Sequence, residues 1–419
     1  MLMGHQAGWR PLIEGALTAP DAAGRVYDYL AEQIFAHQPS DMQHFLLGSS
    51  VFDPLSPDLL DRLPRLSNAS ECLKRLHAQQ LFINKLGGDS EAYSYHPLFR
   101  EFLKERLQRD HPKWYEQLSL ASASLYAEQG QWERAVEVYL SLRRHDDAAG
   151  TLEAAEPSLR SNAQVSSLMP WLEALPRHLT EFRPHIISLK AKSHFYRGEL
   201  EQAASLFDRA AKIFLEAGDE AEAADKLLWK TYALQGLGRY QAVINETRIV
   251  ENLLESEPKL LPLRALMLMQ RGQAEYSLGE LERAYADLRC AKELAFTTDE
   301  VLLQANISHD LGVAARALGH LSEALENYSI ALKMWERLQN PGAATSVLNN
   351  LGYIYYLKGE SQEAEKILQD GLKRAREARA LRYEALTLST LGDVYKDSGD
   401  YAKALEIYGQ GLHVAQQAH

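Results

Sequence analysis

Residues 350–364 read NLGYIYYLKGESQEA, and forty positions later residues 390–404 read TLGDVYKDSGDYAKA. Both stretches have a leucine-glycine pair near the start, a second glycine seven residues later in a short polar turn, and an alanine five residues after that turn. Self-similarity at a fixed period is typical of repeat proteins, in which each unit buries its apolar face on its neighbours. The pattern predicts a helix, a turn and a second helix in every unit.

The turn glycine recurs along the second half of the chain, at intervals of 40, 41, 40, 40 and 40 residues. Glycine adopts the left-handed conformation that commonly ends a helix, and small side chains let two helix axes approach to about 8 Å. We therefore predict six helix pairs over residues 183–419. The turn glycines are Gly198, Gly238, Gly279, Gly319, Gly359 and Gly399. The small residues of the first and second helices are Gly272, Gly312, Gly352 and Gly392, and Ala203, Ala284, Ala324, Ala364 and Ala404.

Large apolar residues around these glycines fall at helical spacing, so the chain is predicted to be mostly α, with its repeats stacked as an α-solenoid around a concave inner surface. The residues resemble the tetratricopeptide family, which implies a right-handed superhelix. That family's period is about 34 residues, so either the helices or the links are longer here. Residues 113–182 are expected to form degenerate repeats: one recognisable unit contains Tyr126, Gly130, Ala135 and Tyr139, and a weaker helix pair is predicted around residues 148–175.

Residues 40–112 do not follow the repeat and predict a winged-helix domain. Helical spacing runs through Met42 and Phe45, and Ser56-Pro57 is typical of a second helix start. A third helix is predicted over residues 69–79. Alternating residues at 81–86 and 92–96, on either side of a turn at 87–90, predict a β-hairpin. A last helix over residues 97–109 completes the order of elements that a winged helix requires.

The string YSYHPLFREFL at residues 93–103, with YLAEQ at 29–33 and FLLGSSV at 45–51, resembles the MalT-type transcriptional regulators among the signal-transduction ATPases called STAND proteins. The resemblance extends from about residue 8 to the end of the chain. It implies that residues 1–39 are a helical remnant or linker from an ATPase module, followed by the winged helix and a superhelical sensor. A full-length member of that family also carries a nucleotide-binding module and often a DNA-binding output domain.

Neither of those modules is recognisable in this sequence. A phosphate-binding loop needs glycine amides and a lysine, and the sequence contains no Gly-Lys dipeptide. We therefore expect this chain to hold no cofactor. The last repeat ends near Leu412 and Val414 without a further polar helix, whereas the terminal face of a solenoid is normally covered. We expect a fragment of a longer protein, or a chain that dimerises through this end.

His96 is the strongest single candidate for a functional residue in the winged-helix region. In the family that the sequence resembles, a histidine at the start of the last winged-helix helix reaches the phosphate of a nucleotide bound to the ATPase module. Tyr95-His96-Pro97 resembles that motif, with proline where an acidic residue often stands. The alternative is a histidine that caps the helix or contacts the hairpin.

Composition limits the classes of function that remain. The formal net charge is -12, and residues 40–110 hold nine basic and ten acidic residues, so neither the chain nor the winged helix favours direct DNA binding. Cys72 and Cys290 have no metal-type spacing, and no apolar run is long enough to cross a membrane. Hydrolase and metalloprotease motifs are not recognisable. We expect a cytoplasmic protein that is not an enzyme.

The predicted concave surface is the candidate binding site. Aromatic rings that alternate with amides and charged groups suit a sugar or a peptide, because the rings bury apolar area while their neighbours satisfy polar groups. The alternative is that tyrosines line an empty groove, and the pattern of a carboxylate clamp for peptide C-termini is not recognisable. The candidate residues are Tyr196, Tyr232, Gln273, Tyr276, His309, Arg316, Asn349, Tyr353, Tyr356 and Lys396.

Two functions fit these patterns. The first is the sensor region of a STAND regulator, in which a small-molecule or peptide effector in the groove shifts the balance between a resting and an assembly-competent form. Its further partners would be the intramolecular ATPase module and other copies of the chain. The second is a freestanding scaffold that binds protein partners through the same groove.

Overall fold

The structure is a computed structural model that describes residues 31–63, 66, 68–79, 82–86, 91–156, 162–255 and 260–418. The chain forms two compact units. The first contains the described residues up to 156 together with Pro170–Thr180, and the second contains the described residues of Ser161–Met169 and Glu181–His419. The last residues predicted to belong to an ATPase remnant are helical at 31–36, and the rest of that prediction lies outside the described residues.

The first unit begins with the predicted winged-helix domain, which is confirmed. Its elements are α1 (Ser40–Ser49), α2 (Pro57–Leu60), α3 (Ala69–Ala78), β1 (Ile83–Lys85), β2 (Tyr93–Tyr95) and α4 (Pro97–Asp110). The two strands pair antiparallel, with Ile83 opposite Tyr95. The helix predicted from Ser56-Pro57 is only four residues long, and the Ser56 side chain makes no capping hydrogen bond. Proline at the first helical position therefore favours the start of this helix, and the serine side chain does not cap it.

The first repeat packs against the winged helix inside this unit. It consists of α5 (Pro112–Glu128) and α6 (Trp132–Ser141). Along the chain there follow α7 (His145–Ala155), α8 (Asn162–Ser166), α9 (Met169–Ala174) and α10 (Arg177–Phe182), of which α8 belongs to the second unit. The backbone N–H of Asp53 donates to the Tyr126 hydroxyl at 3.1 Å, and the Arg134 guanidinium donates to the Asp53 carbonyl. The unit predicted at Tyr126 and Gly130 is thus held to the domain before it.

In the described part of the second unit, six helix pairs follow. Val301–Ala317 and every later helix have 17 residues, and three-residue links join them. The longer period therefore comes from longer helices and not from longer links. The pairs are α11 (Pro184–Tyr196) and α12 (Leu200–Glu216), α13 (Glu220–Gly236) and α14 (Tyr240–Glu255), α15 (Leu261–Ser277) and α16 (Leu281–Ala295), α17 (Val301–Ala317) and α18 (Leu321–Arg337), α19 (Pro341–Leu357) and α20 (Ser361–Glu377), and α21 (Leu381–Asp397) and α22 (Tyr401–Gln417).

Left-handed residues end the helices at both kinds of turn. The six predicted turn glycines have φ between +71° and +86°, which confirms their role. Two turns from a second helix to the next first helix also use this conformation, because Gln339 and Arg379 adopt φ of 53° although neither is glycine. A left-handed conformation costs about 1–2 kcal/mol for a residue with a Cβ atom.

We expect the substitution Arg379→Gly to raise the free energy of unfolding by about 0.5 kcal/mol, because removal of the left-handed penalty is partly offset by glycine's greater freedom in the unfolded chain. Urea denaturation measures the change. Ala378→Gly is the matched control, since Ala378 has φ of -82°. That variant is expected to be less stable than the wild type, and equal behaviour of the two variants would contradict the role given to the turn.

The predicted small residues lie where the two helices of a pair cross. A Cβ atom on Gly352 would lie 2.5 Å from Leu368 Cγ, and one on Gly312 would lie 2.7 Å from Tyr328 Cε1. Real side chains do not approach so closely, so a large residue of the second helix occupies the space above each glycine. A large side chain of the second helix can reach the side of the repeat formed by the first helices only where it passes over one of these glycines.

Candidate functional site

The first helices of successive pairs contact one another directly, as α13 does with α15, α15 with α17, and α19 with α21. The side chains that these first helices present to one another and to solvent form one surface, which we call the first-helix face. The helices are α11, α13, α15, α17, α19 and α21. The predicted binding residues all lie on these helices. The side chains of these residues therefore lie on neighbouring helices, and their contacts can be compared along the repeats.

A series of amide and carboxylate side chains joins three of the first helices. Gln235 Nε2 on α13 donates to Gln273 Oε1 on α15 at 2.9 Å. Gln273 Nε2 in turn donates to Asp310 Oδ2 on α17 at 2.6 Å. The structure thus places Gln273, a predicted site residue, at the centre of a relay that crosses two junctions between units.

The relay continues toward the last repeats through a histidine. His309 Nδ1 lies 3.1 Å from Asp310 Oδ1, and its Nε2 lies 3.1 Å from Asn350 Nδ2 on α19. The Tyr356 hydroxyl of α19 then donates to Asp397 Oδ2 of α21 at 2.5 Å. Side-chain hydrogen bonds therefore span every junction from α13 to α21.

An aromatic cluster occupies the beginning of the first-helix face. The Trp229 ring lies 5.9 Å from Phe195, 5.8 Å from Tyr232 and 6.4 Å from Tyr196, measured between ring centroids. The Lys192 ammonium lies 4.7 Å above the same indole ring. Burial raises the pKa of the Tyr196 and Tyr232 hydroxyls. Two predicted tyrosines thus belong to one cluster of rings, which is the kind of surface on which sugar rings and apolar side chains stack.

The middle of the face contains a cation that forms no ion pair with the described carboxylates. Arg316 is half-buried, its guanidinium lies 5.4 Å from the centroid of the Tyr353 ring, and its Nε is buried without a hydrogen-bond acceptor among the described residues. The Asn349 Oδ1 atom is also buried without a donor there. Tyr276 is half-buried and packs on the apolar core between α15 and α17. Buried polar atoms without partners are uncommon in proteins.

Lys396, the other predicted cation, is already neutralised. Its ammonium lies 3.4 Å from Asp393 Oδ1 and 3.5 Å from Asp397 Oδ1. The hydrogen bond to Asp393, and next the charge of Asp397, raise the pKa of Lys396. This exposed residue is therefore less available to an anionic ligand than Arg316.

Sequence reasoning missed five residues that the structure adds to the face. Asp310, Asn350 and Asp397 directly follow three predicted residues, and Trp229 lies one helical turn before Tyr232, so the sequence already indicated these four positions. Tyr328 is different, because it lies on the second helix α18 and reaches the face only by crossing Gly312. A search restricted to first helices could not find it.

His96 lies at the N-terminal end of α4 and is exposed. Its backbone N–H donates to the Phe82 carbonyl at 2.7 Å, and its carbonyl accepts from the Arg100 N–H at 3.0 Å. With His77, Phe82 and Asn84 it lines a surface depression of the first unit. Its backbone thus links the hairpin to the helix, while the imidazole ring lies on the surface.

Two further observations concern the described residues alone. None of their helices is long and apolar enough to span a membrane. They also contain no group of three or more histidine, cysteine, aspartate or glutamate side chains that could hold a metal ion.

Comparison with known proteins finds family matches in three parts of the chain. The family described as MalT winged helix domain matches residues 31–115, and tetratricopeptide repeat families match residues 118–150 and 343–417. The HTH-type transcriptional regulator MalT of Serratia proteamaculans is 25% identical over 280 residues, which is 65% of this chain and 30% of that protein. The protein of the same name from Vibrio cholerae is 24% identical over 322 residues, covering 75% of this chain and 35% of that protein.

The chain spans about a third of the length of these curated relatives. Among solved structures, a Signal Transduction ATPase with Numerous Domains (STAND) protein with a tetratricopeptide repeat sensor, from Pyrococcus horikoshii, has a TM-score of 0.67 and 16% identity. The match covers 93% of this chain and 59% of that chain. At this identity the match shows a shared fold.

Proposed function

We propose that this chain, which has the winged-helix domain and tetratricopeptide-repeat region of a MalT-like STAND regulator, is the effector-sensing and regulatory part of a transcriptional regulator. In this proposal a small molecule or a peptide binds to the first-helix face. Binding shifts the protein between a resting and an assembly-competent form. The winged-helix unit contacts an ATPase module of the longer protein, where His96 faces the nucleotide.

The observation that carries the proposal is the chemistry of the first-helix face. Aromatic rings gather around Trp229, a cation without a carboxylate lies over Tyr353, and side-chain hydrogen bonds connect adjacent units. A molecule bound here would exchange hydrogen bonds at the junctions between units. It therefore binds differently to states in which those junctions have different angles, and a ligand shifts an equilibrium only through such a difference.

We expect the substitution Tyr353→Ala to weaken effector binding about tenfold, which corresponds to about 1.4 kcal/mol of lost ring contact. Isothermal titration calorimetry against a panel of neutral di- and trisaccharides and short peptides identifies the ligand with the wild type and then measures the variant. Tyr401→Ala is the control, because Tyr401 is 66% exposed on the second helix α22. Equal affinity of wild type and Tyr353→Ala would remove this tyrosine from the site.

The freestanding scaffold is the second candidate, because the same face could bind a segment of another protein. The two functions differ in what binding does to the longer protein. For a sensor, the ligand found by calorimetry changes the oligomeric state of the full-length protein with ATP, measured by light scattering. For a scaffold, the natural gene encodes no upstream Gly-x-x-x-x-Gly-Lys module, and the ligand leaves the oligomeric state unchanged.

A further inference from the structure

The last helix pair contains a tyrosine, a carboxylate and a cation in contact. Tyr408 of α22 lies over Gly392, where a Cβ atom would be 2.5 Å from its ring. Its hydroxyl donates to Asp393 Oδ1 at 2.6 Å, and Lys396 Nζ lies 3.4 Å from that same oxygen. The carboxylate thus joins a hydroxyl from the second helix to an ammonium from the first helix.

Two repeats earlier, the tyrosine and the cation are kept but the carboxylate is not. Tyr328 lies over Gly312 as Tyr408 lies over Gly392, and Arg316 occupies the position of Lys396, eighty residues before it. The positions of Asp393 and Asp397, however, are occupied by Val313 and Ala317. The repeat itself therefore identifies the group that is missing between Arg316 and Tyr328.

The two remaining groups have no carboxylate between them among the described residues. Tyr328 is fully buried, and its hydroxyl makes no hydrogen bond with the described residues. Arg316 Nε is in the same condition, and no described carboxylate lies within 4.0 Å of this guanidinium. Burial raises the pKa of Tyr328 to about 12, while the charge of Arg316 and then a hydrogen-bonding contact with its guanidinium oppose that increase, so the two groups lie against each other. An unsatisfied buried polar group is costly.

The nearest titratable neighbours are already engaged. Asp310 accepts from Gln273 Nε2 and lies beside the His309 ring nitrogen. The His309 ring in turn lies 5.8 Å from the Tyr328 ring. The Tyr353 ring lies beneath the guanidinium, 5.4 Å from it. The Arg316 side chain is half-buried, so part of it is open to solvent.

We infer that Arg316 and Tyr328 form a recess for a carboxylate group of the effector, in the place that the Asp393 side chain fills in the last pair. The inference deepens the proposed function, because it names a chemical group of the ligand at the same face. Arginine suits this role, since its planar donors match the two oxygens of a carboxylate and its charge strengthens the hydrogen bonds.

The test uses the full 419-residue chain and acetate as the probe. The Nε–H resonance of Arg316, assigned with an Arg316→Lys variant, is followed by NMR during titration with sodium acetate at constant ionic strength, and acetamide is the neutral control. We expect a saturable shift with millimolar half-saturation for acetate and none for acetamide. Val313→Asp, which supplies an internal carboxylate, is expected to weaken the acetate response at least tenfold, and Tyr328→Phe is expected to weaken it less.

Stability gives an independent measurement. At pH 7 the Val313→Asp variant is expected to melt about 2–4 °C higher than Val313→Asn, which has the same shape without the charge. Equal melting temperatures, no saturable shift in the wild type, or an undiminished acetate response in Val313→Asp would each overturn the inference. Because acetate probes the recess alone, a positive result stands even if no effector changes the oligomeric state, so failure of the proposed function remains distinguishable.

Discussion

Replacing Gly352 by valine is expected to lower the free energy of unfolding by about 2–3 kcal/mol. The valine Cβ would lie 2.5 Å from Leu368 Cγ, and the fully buried leucine has little room to move. Overpacking of this kind forces side chains off their rotamers and shifts the backbone. Because repeat proteins do not unfold as one cooperative body, hydrogen exchange of the α19 amides should be measured together with urea denaturation.

Gly409→Val is the matched control for this variant. Gly409 also lies inside a helix, but a Cβ atom there would meet nothing within 4 Å. The same substitution is therefore expected to change stability by no more than about 0.5 kcal/mol, since valine and glycine differ only modestly in helix propensity. Equal losses at the two positions would show that glycine is not required for the crossing of α19 and α20.

Glu275 is expected to make the stability of the second unit depend on pH. This residue of α15 is 7% exposed, and its Oε2 has no hydrogen-bond partner among the described residues. Burial, and next the negative charge of Asp287, raise the pKa of Glu275 from its usual 4.5 to about 7, while the charge of Arg271 opposes the increase. The protonated side chain is therefore the form that folding favours.

The direction of the effect follows from proton linkage. Protonated Glu275 favours the folded state. This contribution to the free energy of unfolding is fully present below pH 4.5 and is lost as the pH rises through about 7, because Glu275 releases its proton at a lower pH in the unfolded chain. Between pH 4 and pH 8, Glu275→Gln should gain about 3 kcal/mol relative to the wild type. Denaturation at several pH values measures this difference. Glu282→Gln, at an exposed position of α16, is the control and should show a constant difference.

The helix pairs could be predicted because the residues that decide them recur in sequence. Turn glycines such as Gly359 have φ of +76°, and crossing glycines such as Gly352 lie beneath a large side chain of the partner helix. The turns at Gln339 and Arg379 could not be predicted in the same way, because neither residue type favours the left-handed conformation that the fold imposes on it. There the packing of the flanking helices overrides the local preference.

The candidate site was predictable in part. Spacing placed Gln273, His309 and Tyr353 on the first helices, where the structure has them. Spacing did not predict that Lys396 is neutralised by two carboxylates while Arg316 pairs with none in the described part of the chain. That difference depends on side chains one turn away and on Tyr328, which arrives from the second helix. Sequence patterns order residues along one helix, whereas the charge balance of a site depends on what the neighbouring helices bring to it.

The relay from Gln235 to Gln273 to Asp310 crosses one junction with each hydrogen bond. In the proposed function, a molecule that replaced one of these bonds would change the angle at that junction and leave the others as they are. A change of a few degrees between two neighbouring pairs nevertheless displaces every pair beyond them, by an amount that grows with distance along the stack. In the proposed function, a compact ligand bound at a single junction would therefore displace all the repeats on one side of it.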